Sequence, residues 1–337
     1  MAAFAPPPTP KTGLGFYRNL SPTASVRVSP LCLGAMNFGD AWAHMGTCTE
    51  HEAILDYFYA NGGNFIDTAN NYQKGRSERI LGEWMEKRGV RDQMVLATKY
   101  TTPYRTGYGD KEIIVNTGGN GTKSLKSSVE LSLKNLRTDY IDLLYLHWWD
   151  HTTSIPEVMQ SLNDLIVAGK VHYLGVSDCP AWIVSKANQY ARDHGLRQFC
   201  VYQGNWSAAT RDFERDIIPM TIAGHFKTDE QRAATKKDGR NFMPPTEHIL
   251  SVSRALEAIA KKKNTEITSI ALAYVVQKRP YVFPIVGGRT MAHLKSNVDA
   301  LSLELTKEDM DEIEKASPID LGFPHSMISL AIAPRKL

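Results

Sequence analysis

Short apolar runs recur along the chain, and each is long enough to form one strand. Their unbroken apolarity is typical of strands buried on both faces, as in a parallel sheet. The runs are LCLGAMNFG (31–39), GNFIDTA (63–69), MVLATKY (94–100), YIDLLYLHWW (140–149), VHYLGVSD (171–178), FCVYQGNW (199–206) and YVFPIVGG (281–288). The sequence therefore predicts seven buried strands.

Segments between these runs have the periodicity of amphipathic helices. SLKSSVELSLKNL places Leu125, Val129, Leu133 and Leu136 on one stripe, and IPEVMQSLNDLIVAGK repeats the pattern before Gly169. Strands that alternate with helices indicate a parallel sheet, which is either doubly wound or closed as a (β/α)8 TIM barrel.

Phosphate-binding motifs distinguish these two folds. A doubly wound dinucleotide-binding domain begins with a G-x-G-x-x-G turn between its first strand and helix. GLGFYR (13–18) lacks the third glycine and follows no strand, and GGNGTKS (118–124) has its lysine one position away from the P-loop rule. The sequence favours the α/β barrel, as a single domain over residues 13–337 after a proline-rich, disordered lead of residues 1–12.

The seventh strand region of this barrel is predicted to be shortened or missing. Between residues 206 and 245 the best candidate is a stub at Met220 to Ala223. A missing strand would leave the neighbouring barrel edges with unpaired backbone groups, and we expect it to weaken cofactor binding.

Composition excludes several classes of function. The 337 residues carry 39 basic and 36 acidic side chains, a net charge of +3, in a spread that indicates neither a nucleic-acid nor a membrane partner. The four cysteines form no C-x-x-C pair, which favours a reducing, cytoplasmic location and argues against a zinc site. No heptad seam or isolated apolar stripe marks a subunit interface.

Polar side chains end three of the predicted strands. Asp67, Lys99 and His147 terminate the second, third and fourth runs, and Tyr72 lies in the loop after the second. The carboxyl ends of barrel strands meet at one face, so we expect these four residues to converge. An ammonium stabilises a phenolate, so Lys99, paired with Asp67, would make Tyr72 a proton donor to a carbonyl oxygen, while His147 orients it. The segment YLHWWDH begins as a strand and not as a helix, so His147 and His151 would not form a helical i, i+4 pair of metal ligands.

At these positions the chain resembles the aldo-keto reductase family. The resemblance rests on GGNFIDTANNY with GRSERILGEW, LATKY, SLKNLRTDYIDLLYLH, GKVHYLGVSD, YQGNWS and PIVGGRTMAHLKSN, in order from about residue 28 to residue 305. Within the family it is most similar to fungal aryl-alcohol dehydrogenases and norsolorinic acid reductases. The resemblance implies NADP(H) as cofactor, bound by Ser177, Asp178, Gln203, Gly287, Arg289 and Asn297. Asp178 replaces the asparagine usual in the wider family, and Arg289 suits a 2′-phosphate.

The expected activity is the reversible, NADPH-dependent reduction of aromatic or polyketide-derived aldehydes and ketones to alcohols. Aromatic residues near the mouth indicate a flat aryl substrate; they are Trp42, Trp148, Trp149 and Trp206. Trp42, Trp148 and Trp149 are the candidate pocket walls, although Trp148 and Trp149 could instead pack at the barrel rim. The alternative is a non-catalytic or cofactor-deficient barrel that serves as a binding or regulatory partner. The four intact residues at the strand ends favour the enzyme, and the short seventh region favours the alternative.

Overall fold

The computed structural model describes residues 9–105, 112–223, 228–229, 247–320 and 322. Residues 1–8 of the predicted lead lie outside these ranges. At the edge of that lead, the Thr12 hydroxyl donates to the Asn61 carbonyl oxygen at 2.9 Å and accepts from the Leu14 N–H.

Parallel strands form one sheet, which has eight members within the described residues. The strands are β3 (Cys32–Gly34), β4 (Phe65–Asp67), β5 (Val95–Tyr100), β6 (Ile141–Leu146), β7 (Val171–Ser177), β8 (Phe199–Gln203), β9 (Thr228–Asp229) and β10 (Ile285–Val286). They are hydrogen bonded in the order β10-β3-β4-β5-β6-β7-β8-β9, which is the strand order of a (β/α)8 barrel. All seven predicted strands are confirmed.

Helices follow the strands and cover the outside of the sheet. They are α1 (His51–Ala60), α2 (Arg76–Arg88), α3 (Thr122–Leu136), α4 (Ile155–Val167), α5 (Ala181–Asp193), α6 (Ile217–Ala223), α7 (Glu247–Lys262), α8 (Ile267–Lys278), α9 (Met291–Asp299) and α10 (Lys307–Ala316). The stripe predicted from SLKSSVELSLKNL is the buried face of α3. Packing of such stripes against the sheet accounts for the burial of the strands on both faces.

Alternate residues of each strand enter different cores. Ile66, Leu96 and Leu144 point outward and pack beneath the helices. Phe65, Val95, Ala97, Leu143, Tyr145 and Val201 share a separate cluster inside the barrel. Because the side-chain period of a strand is two, this pattern also fixes which residues face the barrel interior at the strand ends.

An antiparallel hairpin, β1 (Arg18–Ser21) and β2 (Ala24–Val28), precedes the barrel. Its Leu20, Ala24 and Val28 belong to the inner cluster, with the first residues of β4 and β5. The hairpin therefore closes the amino-terminal end of the barrel, which leaves the carboxyl ends of the strands as the open face. The sequence analysis did not predict this hairpin.

The predicted strand stub at Met220 to Ala223 is wrong, because these residues end helix α6. The Thr221 hydroxyl donates to the Ile218 carbonyl oxygen at 2.8 Å, one helical turn back. Ile217 and Ile218 are buried in the core beneath the helices. The apolar residues of this segment therefore pack into the core as one face of helix α6, and not as a strand of the sheet.

Strand β9 continues the sheet beyond β8. Thr228 pairs with Tyr202 and Asp229 with Gln203. In the described residues this strand is two residues long, in agreement with the predicted shortening of the seventh strand. Across the same residues, no ladder joins β9 to β10.

Candidate active site

Period-two geometry brings polar side chains into the barrel at its open face. Asp67 lies two residues beyond the inward-facing Phe65, Lys99 two beyond Ala97, and His147 two beyond Tyr145. Ladder hydrogen bonds continue past the strand ends, from Asn70 N–H to the Lys99 carbonyl at 3.1 Å and from His147 N–H to the Tyr100 carbonyl at 3.3 Å. The backbone around these residues is thus held as firmly as the strands themselves.

The Lys99 ammonium is the centre of this group. It is 1% exposed, and its Nζ donates to Asp67 Oδ2 at 2.5 Å, to the Thr68 carbonyl at 2.8 Å and to Tyr72 Oη at 3.3 Å. Burial lowers the pKa of Lys99, but the charge of Asp67 and the contact with Tyr72 outweigh this and raise the pKa above its ordinary value. Lys99 is therefore an ammonium at neutral pH, with three contacts for its three N–H groups.

These contacts determine where the phenol proton of Tyr72 points. An ammonium has no acceptor, so the Tyr72 oxygen accepts from Lys99. Its own O–H proton is then directed away from the lysine. Tyr72 is half-buried, at the start of a 3-10 turn (Tyr72–Gly75), and can present this proton at the barrel mouth.

Asp67 is paired through both oxygens. Oδ2 accepts from Lys99, and Oδ1 accepts from Gln203 Nε2 at 3.0 Å. The carboxylate is 4% exposed, so its charge is balanced within the barrel rather than by water. Gln203, predicted to bind cofactor, thus also belongs to the group around the lysine.

His147 packs edge-on to Tyr72, with the two ring centroids 6.0 Å apart. Burial, and then the positive charge of Lys99, lower the pKa of His147 to about 3, so the imidazole is neutral. Its Nδ1 lies 3.2 Å from the Thr102 hydroxyl, which also accepts from Trp148 Nε1 at 3.0 Å. The structure therefore brings together all four residues predicted at the strand ends.

Strand β5 is also held from outside the barrel. Glu78 of α2 is fully buried and accepts from the Thr98 hydroxyl at 2.7 Å and from Asn135 Nδ2 of α3 at 3.1 Å. Burial raises the pKa of Glu78 against the opposing effect of these hydrogen bonds. Thr98 and Lys99 are adjacent, so their side chains lie on opposite faces of β5. The Glu78 carboxyl group binds Thr98 outside the barrel and the Asp67 carboxylate binds Lys99 inside it, and together they fix the position of the lysine.

The residues predicted to bind the cofactor lie along the open face. Ser177 ends β7, and Asp178 follows it with a left-handed φ of 41°, its N–H donating to the Gln203 carbonyl at 3.1 Å. Asparagine and aspartate are the non-glycine residues that adopt this conformation most readily. The Asn-to-Asp exchange therefore keeps the backbone geometry and changes the charge.

A second part of the predicted cofactor site surrounds the start of α9. Gly287 is exposed just beyond β10, Arg289 precedes α9, and Asn297 is half-buried within it. The Arg289 side chain packs on Gly46 in the loop after β3. The first N–H of the helix, at Met291, donates to a Glu50 carboxylate oxygen at 2.8 Å.

The predicted aromatic walls separate into two groups. Trp42 packs edge-on to Tyr72, with the ring centroids 6.0 Å apart, and Trp148 is 38% exposed beside His147. Trp149 is 8% exposed and Trp206 is fully buried, both in the core beneath the helices. Trp149 therefore takes the packing alternative, and Trp206 does not reach the mouth.

Other features noted in the sequence have structural roles. The GGNGTKS segment begins α3, and Glu157 Oε1 accepts from Thr122 N–H at 3.0 Å at this helix end. All four cysteines are buried and free. Among the described residues no group of three or more His, Cys, Asp or Glu side chains could hold a metal ion. No helix in these ranges has the length and apolarity needed to cross a bilayer.

Three contributors to the site were missed by the sequence analysis. They are the Thr68 carbonyl, the Thr102 hydroxyl and Gln73, which contacts the loop that carries Trp42. Every residue has a backbone carbonyl, so residue type cannot show which carbonyl contributes to the site. Thr102 and His147 are 45 positions apart, so only the placement of the loop after β5 brings them together.

Comparison with known proteins shows the family of the chain. Norsolorinic acid reductase B of Dothistroma septosporum is 59% identical over 331 residues, covering 93% of this chain and 84% of that protein. Norsolorinic acid reductase B of Aspergillus parasiticus is 55% identical over 94% of this chain and 88% of its own length. An aryl-alcohol dehydrogenase of Pestalotiopsis microspora is 53% identical over 97% of this chain and 88% of its own length. The sequence profile of the aldo/keto reductase family matches residues 30–318, and the chain belongs to this family of NAD(P)H-dependent oxidoreductases.

Proposed function

We propose that the protein is an NADPH-dependent reductase of aromatic or polyketide-derived aldehydes and ketones, and that it also catalyses the reverse oxidation. The single observation that carries this proposal is the contact of Tyr72 Oη with the buried Lys99 ammonium at 3.3 Å, next to the His147 ring. An acid, a group that stabilises its conjugate base and a neutral hydrogen-bonding side chain are what carbonyl reduction requires.

Proton transfer follows from the hydrogen bonds of these residues. Tyr72 donates its outward-directed proton to the carbonyl oxygen, and the Lys99 ammonium stabilises the phenolate that remains. Asp67 keeps Lys99 charged while both are buried. In the reverse direction, the phenolate removes the proton of the alcohol.

His147 acts as a neutral orienting group. The Thr102 hydroxyl accepts from Trp148, and we infer that it gives its own proton to His147 Nδ1. The imidazole proton then lies on Nε2, which can donate to the carbonyl oxygen of the substrate. A protonated imidazole next to Lys99 would add a second buried positive charge.

The start of α9 fits the phosphate of a dinucleotide. A guanidinium beside a helix amino terminus is an anion-binding arrangement, and the Glu50 carboxylate at Met291 N–H shows its preference for negative charge. Arg289 and Asn297 would hold the 2′-phosphate and adenine, while Ser177, Asp178 and Gln203 would hold the nicotinamide amide and Gly287 would line the cleft. A nicotinamide held there would supply the hydride for the carbonyl carbon.

The substrate class is inferred from the aromatic residues and from the relatives. Trp42 and Trp148 flank Tyr72 and His147, so a flat aromatic ring can pack against an indole while its carbonyl meets the phenol. The relatives are named for norsolorinic acid and for aryl alcohols. A small molecule with an aromatic ring next to its carbonyl is the expected substrate, and we propose a cytoplasmic location for this reaction.

The decisive experiment compares wild type with Tyr72→Phe in the reduction of an aryl aldehyde by NADPH. We expect Tyr72→Phe to lose at least about a hundredfold in kcat, within the range of general acid catalysis, while NADPH still binds. Equal rates in the two proteins would refute the mechanism. Titration of tryptophan fluorescence with NADPH and NADH measures the cofactor preference separately.

The same titration tests a second candidate function. In the part of the chain that the structure describes, strand β9 has two residues, and this short pairing favours a non-catalytic or cofactor-deficient barrel that acts as a binding or regulatory partner. Saturable binding of NADPH would exclude a cofactor-deficient barrel, and reduction of an aryl aldehyde that Tyr72→Phe abolishes would exclude a non-catalytic one. A folded wild-type protein that binds neither nucleotide would support it instead.

A further inference from the structure

Gln73, the residue after Tyr72, is held in an uncommon backbone conformation. Its φ and ψ are 52° and 38°, and the next residue, Lys74, has 55° and 42°. Two consecutive non-glycine residues in the left-handed region are costly and persist only where neighbouring contacts stabilise them. The Gln73 side chain is 1% exposed, so its contacts inside the protein are the source of that stabilisation.

The Gln73 amide binds both ends of one loop segment. Its Nε2 donates to the Met36 carbonyl at 3.0 Å, and its Oε1 accepts from the Trp42 N–H at 2.8 Å. Between these points, Gly39 has a φ of 136°, and a β-carbon there would lie 2.8 Å from Gln73 Cβ. One buried side chain thus satisfies a donor and an acceptor of the 36–42 segment and packs against its middle.

This segment carries the aromatic wall of the proposed substrate pocket. Trp42 packs edge-on to Tyr72 at 6.0 Å, and the same phenol ring packs edge-on to His147 at 6.0 Å. Gln73 is covalently next to the acid and hydrogen bonded to the backbone of the wall. It therefore couples the position of the Trp42 ring to that of the reacting oxygen of Tyr72.

We propose that Gln73 is a positioning residue that holds Trp42 beside Tyr72 and thereby sets the affinity for flat aromatic carbonyl substrates. The inference rests on the proposed function for its substrate class. The clamp itself rests only on the contacts of Gln73. Arg76 and Asp40 also join these two segments, at 2.7 Å, but their side chains are 52% and 63% exposed, and such exposed pairs contribute little.

Hydrogen exchange measures the clamp without substrate or cofactor. In wild type the Trp42 N–H is protected by Gln73 Oε1. Gln73→Met keeps the length of the side chain but removes both hydrogen bonds, so the peptide covering residues 37–46 should exchange about tenfold faster. Lys74→Leu is the matched control, because Lys74 shares the left-handed conformation and is exposed, and its exchange in this peptide should equal that of wild type.

Steady-state kinetics then measure what the clamp does. We expect Gln73→Met to raise KM for an aryl aldehyde about tenfold, with kcat within about threefold and little change in KM for a small aliphatic aldehyde. In a Trp42→Ala background the same substitution should leave the aryl KM unchanged, because its effect passes through Trp42. An equal rise in KM for both aldehydes, or the same effect in the Trp42→Ala background, would overturn the inference.

A third variant keeps the test decisive if Gln73→Met does not fold. Gln73→Glu retains the acceptor for the Trp42 N–H and loses the donor to the Met36 carbonyl. Protection of the Trp42 amide in this variant supports the clamp, and its loss, in protein with a wild-type circular dichroism spectrum, overturns it. If wild type reduces no aryl aldehyde, the proposed function fails, whereas unchanged exchange in an active Gln73→Met variant rejects the clamp alone.

Discussion

Removal of the Lys99 charge is the most informative perturbation of the site. Lys99→Met leaves the Asp67 carboxylate 4% exposed, with its hydrogen bond from Gln203 but without its counter-ion. The side-chain volume is nearly conserved, so the variant tests electrostatics rather than packing.

The cost of this substitution can be bounded. Breaking a buried ion pair by removing one partner costs about 3–5 kcal/mol. A carboxylate without its cation can instead take up a proton, and at pH 7 protonating an aspartic acid costs about 4 kcal/mol, which sets a ceiling. We therefore expect Lys99→Met to lose about 3–4 kcal/mol of unfolding free energy at pH 7.

Uptake of a proton by Asp67 also determines how the stability of the variant depends on pH. In the variant, the folded state holds the extra proton more tightly than the unfolded state. Its stability relative to wild type therefore improves as pH falls, by up to about 1.4 kcal/mol per pH unit between pH 7 and pH 4. The loss at pH 5 should be clearly smaller than at pH 7.

Urea unfolding of wild type, Lys99→Met and the double variant Asp67→Asn/Lys99→Met, at pH 7 and pH 5, measures these differences. The double variant has neither charge of this pair, so no carboxylate at position 67 is left buried without a counter-ion. It should therefore recover more than half of the lost stability. A loss below about 1 kcal/mol at pH 7, the size expected of an exposed pair, would refute the reasoning. So would equal losses at the two pH values.

Four further predictions concern other parts of the barrel. Because the pKa of His147 is lowered to about 3, its imidazole is neutral above pH 4, and the pH profiles of kcat/KM for wild type and His147→Asn should have the same shape between pH 5 and pH 8. Thr102→Val removes the contact with His147 Nδ1 and should lower kcat about tenfold without changing NADPH affinity, measured by fluorescence titration. Arg289→Leu should weaken NADPH binding about 10- to 100-fold and leave NADH binding unchanged, as measured by calorimetry. In Gly175→Ala the new β-carbon would overlap the Tyr145 ring inside the barrel, and the unfolding free energy should fall by about 1–3 kcal/mol.

The strands and the four site residues were predictable because one repeating rule governs both. Parallel strands buried on both faces give continuous apolar runs, and a polar residue at the end of such a run marks the open face of a barrel. Asp67, Lys99 and His147 each follow this rule. Their convergence therefore needed only strand positions and not any contact distance.

The parts that were missed depend on tertiary packing. The stub predicted at Met220 to Ala223 is wrong because these residues continue helix α6, whose Ile217 and Ile218 are buried in the core beneath the helices. The hairpin of β1 and β2 follows from the need to cover the inner cluster at one barrel end, which no local pattern expresses. Thr102 and Gln73 act through contacts whose partners are distant in sequence.

The site is divided between two kinds of support. The lysine, aspartate and histidine project from strand ends fixed by backbone ladders and buried carboxyl groups, whereas Trp42 sits on a loop tied by one glutamine side chain. Divergence among relatives can therefore act on the loop alone. Under the proposed function, a change in the 36–42 segment would alter which aromatic carbonyls bind and would leave the residues proposed to transfer the proton in place.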